Sequence, residues 1–148
     1  MATKIIDINE LKSYKKYVLG YGHFSTIHPG HIRYLKHAKS LGSRLVIAIK
    51  ADTKSNNSEP RFAFNQKERA EALSMLDIAD ALILLKNDDL VDVIKKTEPK
   101  VLVLGKQFEK VAEKEVTEAK EILAQRNISV LFHGGEISYS SSELLNNL

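Results

Sequence analysis

Two kinds of apolar pattern alternate along this chain, and that alternation restricts the folds open to it more than any other feature. YVLGYGHF at 17–24, RLVIAI at 44–49, DALILL at 80–85, VLVL at 101–104 and ISVLF at 128–132 are short runs rich in aliphatic, β-branched and aromatic residues. Unbroken apolar runs of that length are what strands buried on both faces require. Between them the apolar positions take helical spacing. In HIRYLKHAKSLG, residues Ile32, Leu35, Ala38 and Leu41 recur along one face, with Gly42 placed to cap the end. NQKERAEALSML at 65–76 follows Asn65 as N-cap, and DDLVDVIKKT at 88–97 is the next helix. A long amphipathic helix at 108–126 carries Phe108, Val111, Ala112, Val116, Ala119, Ile122 and Leu123. A lead helix around Ile8–Lys15 precedes the first strand, and a last short helix opens near Ser141. Repeated strand–helix units predict an α/β fold, a doubly wound five-stranded parallel sheet of Rossmann-like form. The 148 residues suffice for one domain with a continuous core.

Sheets of this kind bind ligands outside the carboxyl ends of their strands. GHFSTIHPGH at 22–31 lies at the end of the first strand, and the polar, aperiodic DTKSNNSEPRF at 52–62 follows the second, forming a loop on the same rim. The net charge is only +3, with basic residues scattered among acids, which gives nucleic acid binding little support but leaves a small anionic ligand compatible. No apolar run approaches the ~18 residues of a membrane span, and no signal-like segment opens the chain, so a soluble cytoplasmic protein is expected. There is no cysteine, hence neither disulfide nor thiolate metal site.

GYGHFS tempts a dinucleotide-binding reading, which fails because Ser25 stands where the third glycine belongs. Gly20 and Gly22 are better placed inside the strand, where bare backbone permits close packing. HPGH carries more. Pro29 suits the first turn of a helix and Gly30 lets another group approach the backbone, so the turn offers free N–H groups with His28 and His31 on the same side. A helix N-terminus attracts phosphate, and its positive dipole end should lower both histidine pKa values, leaving neutral hydrogen-bond donors. The plainer alternative is that His28 caps the helix and His31 packs partly buried. Ser140, Ser141 and Ser142 open the last helix, a second candidate anion site or a simple capping run.

GHFSTIHPGHIRYLKHAKSLGSRLVIAIKAD resembles the signature region of the cytidylyltransferase-like nucleotidyltransferases, G-x-F-D-x-x-H-x-G-H at the end of the first strand. It looks most like the nucleotidyltransferase domain of ADP-heptose synthases, with glycerol-3-phosphate cytidylyltransferases next. The similarity continues through PRFAFNQKER to YSSSELL at 139–145. The resemblance implies transfer of a nucleoside monophosphate from CTP or ATP to a sugar phosphate or polyol phosphate, with release of pyrophosphate. It implies glycan-precursor synthesis, Mg²⁺ carried by the triphosphate without a protein metal site, and a homodimer. It assigns His28 and His31 to the triphosphate and Lys54 to closure over the phosphates. Nucleotide contacts would come from Gly22, His23, Phe24, Gly30, Gly105, Ser140, Ser141 and Ser142, and acceptor contacts from Arg61 and Arg69. For Arg69 a solvated or salt-bridged helix face is an equal alternative.

The chain departs from the pattern in three places. Ser25 replaces the usual Asp, Gly105-Lys106-Gln107 replaces Gly-Gly-Asp, and Asn146-Asn147 follow YSSSELL where a basic residue is usual. A non-catalytic nucleotide-binding module of the same fold is therefore the competing expectation, while an aminoacyl-tRNA synthetase fragment is excluded by length and by the lack of a K-M-S-K-S loop.

Overall fold

The computed structural model describes residues 3–25, 27–52, 64–86, 89–109 and 113–133. Lys54, Arg61, Ser140, Ser141, Ser142 and the short helix expected from Ser141 lie outside those residues.

Strands β1 (Lys4–Ile5), β2 (Lys15–Gly22), β3 (Leu45–Ile49), β4 (Ala81–Leu84), β5 (Glu98–Gly105) and β6 (Ser129–His133) form one parallel sheet in the order β1-β4-β3-β2-β5-β6. Helices α1 (Ile8–Leu11), α2 (Pro29–Ser40), α3 (Gln66–Leu76), α4 (Leu90–Lys96) and α5 (Lys114–Gln125) connect them. The parallel α/β architecture is as expected, but the described sheet has six strands instead of five. The additional strand, β1, is two residues long and pairs at the edge with β4, too short to show any periodicity in sequence. It is secured around its ends by Ile6 N–H donating to Leu82 O at 2.9 Å and by the Thr3 hydroxyl donating to Ala79 O at 2.7 Å.

Two other expectations change. The single helix at 108–126 resolves into a 3-10 turn, Lys106–Glu109, and α5 from Lys114. Gly42 does not end α2 in a left-handed conformation; Leu41 is the C-cap, and a Cβ at Gly42 would stand 2.9 Å from Val18 Cγ2, so close packing is its role. By contrast Asn65 caps α3 as read, accepting from Glu68 N–H at 2.9 Å, with Glu68 accepting from Asn65 N–H in return.

Side chains alternate across the sheet and fill two cores. On one face α2 and α3 bury Tyr34, Leu35, Ala38, Ala70 and Leu73 against Val18, Leu45, Ile47, Ile49 and Val103. On the other, α1, α4 and α5 bury Leu11, Leu90, Val93, Ile94, Val116, Ala119 and Leu123 against Tyr17, Leu19, Tyr21, Val46 and Leu102. Each such aliphatic side chain contributes about 1.5–3 kcal/mol when fully removed from water. Among the described residues no helix is long and apolar enough to cross a membrane.

The winding places the site. From β2 the chain moves through α2 to β3 and through α3 to β4, on one side of β2; α4 then carries it back to β5 on the other side. The direction of winding reverses between β2 and β5, and the crevice of such a sheet opens at the carboxyl ends of those two strands.

Candidate active site at the reversal of the sheet

β2 ends at Gly22, and six residues later, at the His28 N-cap, the chain must enter α2. Phe24 makes the turn in the left-handed conformation, φ 57°, which a non-glycine residue adopts at a cost of about 1–2 kcal/mol. What holds it is packing: its buried ring lies 5.5 Å from the His31 ring and 6.3 Å from Tyr34, and Gly22 leaves it room, since a Cβ there would be 2.9 Å from Phe24 Cε2.

His28 is the N-cap of α2, and Pro29 occupies the first turn as its missing N–H allows. Gly30 N–H donates to His28 Nδ1 at 3.0 Å, and His28 N–H donates to His31 Nδ1 at 3.2 Å. The plain structural reading of both histidines, capping and packing, is thus realised, and it does not compete with the functional one. A nitrogen that accepts a hydrogen bond carries no proton, so in each ring the exchangeable proton lies on Nε2. The two imidazoles stack with centroids 3.9 Å apart, each with an Nε2–H donor on the side away from its capping contact. Burial, and then the proximity of His28, lower the His31 pKa from 6.5 to about 4. The direction is the one expected from sequence, but burial and the neighbouring imidazole are the cause, where the helix dipole had been anticipated.

Beneath this turn the strands are bridged by a side chain. Tyr34 of α2 accepts from Tyr21 N–H on β2 at 3.2 Å and donates to Val103 O on β5 at 2.6 Å. Gly20 makes space for that hydroxyl; a Cβ would lie 2.7 Å from it and 2.5 Å from Ile47 Cδ1. Both Gly20 and Gly22 are strand residues with a packing role, as their sequence context indicated.

Arg69 does not face the crevice as an acceptor ligand. Its side chain, 0% exposed, is a clamp between strand ends: Nη1 donates to His23 O at 2.6 Å and Lys50 O at 3.0 Å, Nε to Phe64 O at 3.3 Å, and Nη2 pairs with Asp52 at 2.7 Å. A guanidinium on the core face of α3 must find such acceptors, because burial leaves it no water. For Asp52, burial pushes the pKa up, but the hydrogen bonds from Arg69 and the Gln66 backbone, with the charge of Arg69, together hold the carboxyl below its ordinary value.

Four further side chains on this rim carry no motif signature in the sequence. Lys50 follows β3 directly and pairs with Glu113 at 2.9 Å; the Tyr21 hydroxyl donates to Glu115 at 2.7 Å; and Leu90 N–H donates to Glu115 at 2.8 Å, so a carboxylate in the first turn of α5 caps α4. Burial first, then the two carboxylates, push the Tyr21 pKa far upward. For Lys50, its position immediately beyond an apolar strand was the available signal. Gly105 closes β5, paired with His133 of β6, on the same rim. Among the described residues no three His, Asp or Glu side chains converge as a metal cage.

A family model described as cytidylyltransferase-like matches residues 19–147. The FAD synthase of Picrophilus torridus is 31% identical over 88 residues, which are 60% of this chain and 63% of that protein. The bifunctional protein HldE of Citrifermentans bemidjiense is 36% identical over 110 residues, 72% of this chain and 23% of the relative. The chain therefore spans less than two thirds of the length of either. Among solved structures, a lipopolysaccharide core biosynthesis protein from Thermoplasma volcanium is similar with a TM-score of 0.60 and 28% identity, covering 78% of this chain and 92% of that one. The family match begins inside β2 and so takes in the whole reversal point, His28 and His31 with it: this chain belongs to the cytidylyltransferase-like family.

Proposed function

We propose that the protein is a nucleotidyltransferase that moves a nucleoside monophosphate from a nucleoside triphosphate, ATP or CTP, onto a sugar phosphate or polyol phosphate and releases pyrophosphate. The observation that carries this reading is the pair of Nε2–H donors at the N-terminus of α2, stacked 3.9 Å apart at the point where the sheet reverses. Family membership supports the reaction class. The names of the relatives support the acceptor class: in FAD, the product named for the first, an adenylyl group is joined by a phosphoanhydride bond to a ribityl phosphate, which puts ATP first among the nucleotides to test.

The chemistry asks little of the protein beyond placement and charge. A phosphate monoester has its second pKa near ~6, so at neutral pH it is a nucleophilic dianion and needs no general base. It attacks the α-phosphorus in line while the bond to the bridging oxygen of pyrophosphate breaks, and negative charge grows on the departing oxygens. His28 and His31 hold the triphosphate through Nε2–H and donate to that growing charge, and the first N–H groups of α2 add to them. Lys54 and Ser140, Ser141 and Ser142 are assigned to the phosphates, Arg61 to the acceptor, and His23, Phe24, Gly22, Gly30 and Gly105 to the walls of the nucleotide site. Mg²⁺ enters with the triphosphate, whose oxygens and water supply its ligands. A homodimer belongs to the same proposal.

The test is pyrophosphate release in Mg²⁺, crossing ATP, CTP, GTP and UTP with heptose, hexose, glycerol and ribityl phosphates. Turnover with one pair is expected. Nucleotide binding by calorimetry with no turnover across the panel would replace the proposal with a non-catalytic nucleotide-binding module.

A further inference from the structure

The stacked histidines stand on the α2 face of the reversal point; a cation stands on the opposite face. Lys50 N–H donates to Gly22 O at 2.9 Å, which fixes its backbone beside the end of β2. Its side chain then crosses β2 toward β5: Nζ lies 5.8 Å above the Tyr21 ring and 6.0 Å from the ring of Phe108, three residues beyond the end of β5. The ammonium is thus carried from β3 over the end of β2 toward β5, and there it meets Glu113.

The two carboxylates here are held differently. Glu115 uses both oxygens, one for the Tyr21 hydroxyl at 2.7 Å and one for Leu90 N–H at 2.8 Å. Among the described residues Glu113 has Lys50 at 2.9 Å and otherwise a long contact of 3.4 Å from Tyr21. The Lys50 and Glu113 side chains are 24% and 30% exposed, and a pair in that setting is weak enough to exchange partners. Transfer between two phosphates brings two anionic groups together, and the second needs a countercharge that the first does not already occupy.

We propose, resting on the nucleotidyltransferase reading, that Lys50 binds the phosphate of the acceptor, and that Glu113 holds the ammonium over the crevice until that phosphate displaces it. The two substrates are then anchored on opposite faces of the sheet, the donor by neutral imidazoles and the acceptor by a lysine.

The experiment is calorimetric titration of inorganic phosphate into the wild-type chain and into K50M, K50R, E113Q and H31A. The wild type is expected to bind phosphate at a site that K50M weakens tenfold or more and that K50R and H31A retain. E113Q is expected to bind phosphate a few-fold more tightly, because the fraction of Lys50 free to bind rises when its competitor is removed. A purely structural ion pair predicts the reverse for E113Q, so this variant decides even if K50M does not fold. No phosphate binding by the wild type, unchanged binding in K50M, or weakened binding in E113Q overturns the proposal. Where an acceptor supports turnover, K50M should raise its KM tenfold or more with the nucleotide KM unchanged. If none does, the nucleotidyltransferase reading falls, and the phosphate titration still judges Lys50.

Discussion

The two faces of the crevice solve the problem of holding anions in opposite ways. On the α2 face the donors are uncharged: the Nε2–H groups of His28 and His31 and the first N–H groups of the helix, oriented by two backbone hydrogen bonds within four residues. On the α5 face the groups are ionic, Lys50, Glu113 and Glu115, drawn together from β3 and from the start of α5 with the Tyr21 hydroxyl between them. Local geometry builds the first; long-range packing builds the second. Fixed neutral donors suit a group on which charge develops during reaction, since no counterion has to be displaced. An exchangeable ion pair suits a group that arrives already charged.

Perturbing one face at a time tests that contrast. The largest effect is expected where both faces share support. Arg69→Met leaves His23 O, beyond the end of β2, and Lys50 O, beyond the end of β3, without their donor; because Asp52 is part exposed, the low end of the buried-pair range applies, a loss of about 3 kcal/mol in urea unfolding. Next, on the α2 face alone, His28→Ala and His31→Ala should each reduce turnover ~10²-fold or more, equivalent to about 2.7 kcal/mol in the barrier, while the melting transition stays cooperative. Full activity in a folded variant of either kind would remove that histidine from the reaction.

The α2 face should also have its own pH signature. His31 titrates at 6.5 when unfolded and at about 4 when folded, so between those values the unfolded chain binds a proton that the folded chain does not. Stability is then complete above about pH 6.5, falls as the pH is lowered through that interval, and the slope should vanish in His31→Gln when melting temperatures are compared across it. The smallest effect belongs to the α5 face. Tyr21→Phe removes a hydroxyl from Glu115, costs about 1 kcal/mol by denaturant titration, and leaves the pH slope of His31 untouched.

What could be read from the sequence divides along the same line. His28, Pro29, Gly30 and His31 declare a capped helix because their capping hydrogen bonds lie within the stretch itself, and Asn65 with Glu68 does the same. The strands of the inner sheet were legible because burial on both faces leaves an unbroken apolar run. β1 was not, since two residues carry no period, and α5 was overextended because the 3-10 turn before it continues the apolar spacing. Arg69 shows the limit most clearly. Its helix position was right, but its partners His23 and Asp52 lie 46 and 17 residues away, and nothing in a helical wheel reveals that three carbonyls wait inside.

Tyr34 and Gly20 have a consequence for how sequences of this kind can drift. The hydroxyl joins β2 to β5, and it fits only because residue 20 has no Cβ. The two positions therefore behave as one heritable character. A descendant that keeps tyrosine at 34 is confined to glycine at 20, and one that has lost the hydroxyl is released only if residue 47 is also trimmed, since Ile47 Cδ1 would stand 2.5 Å from a Cβ there; tyrosine at 34 with a bulky residue at 20 is the combination that lineages of this fold should lack.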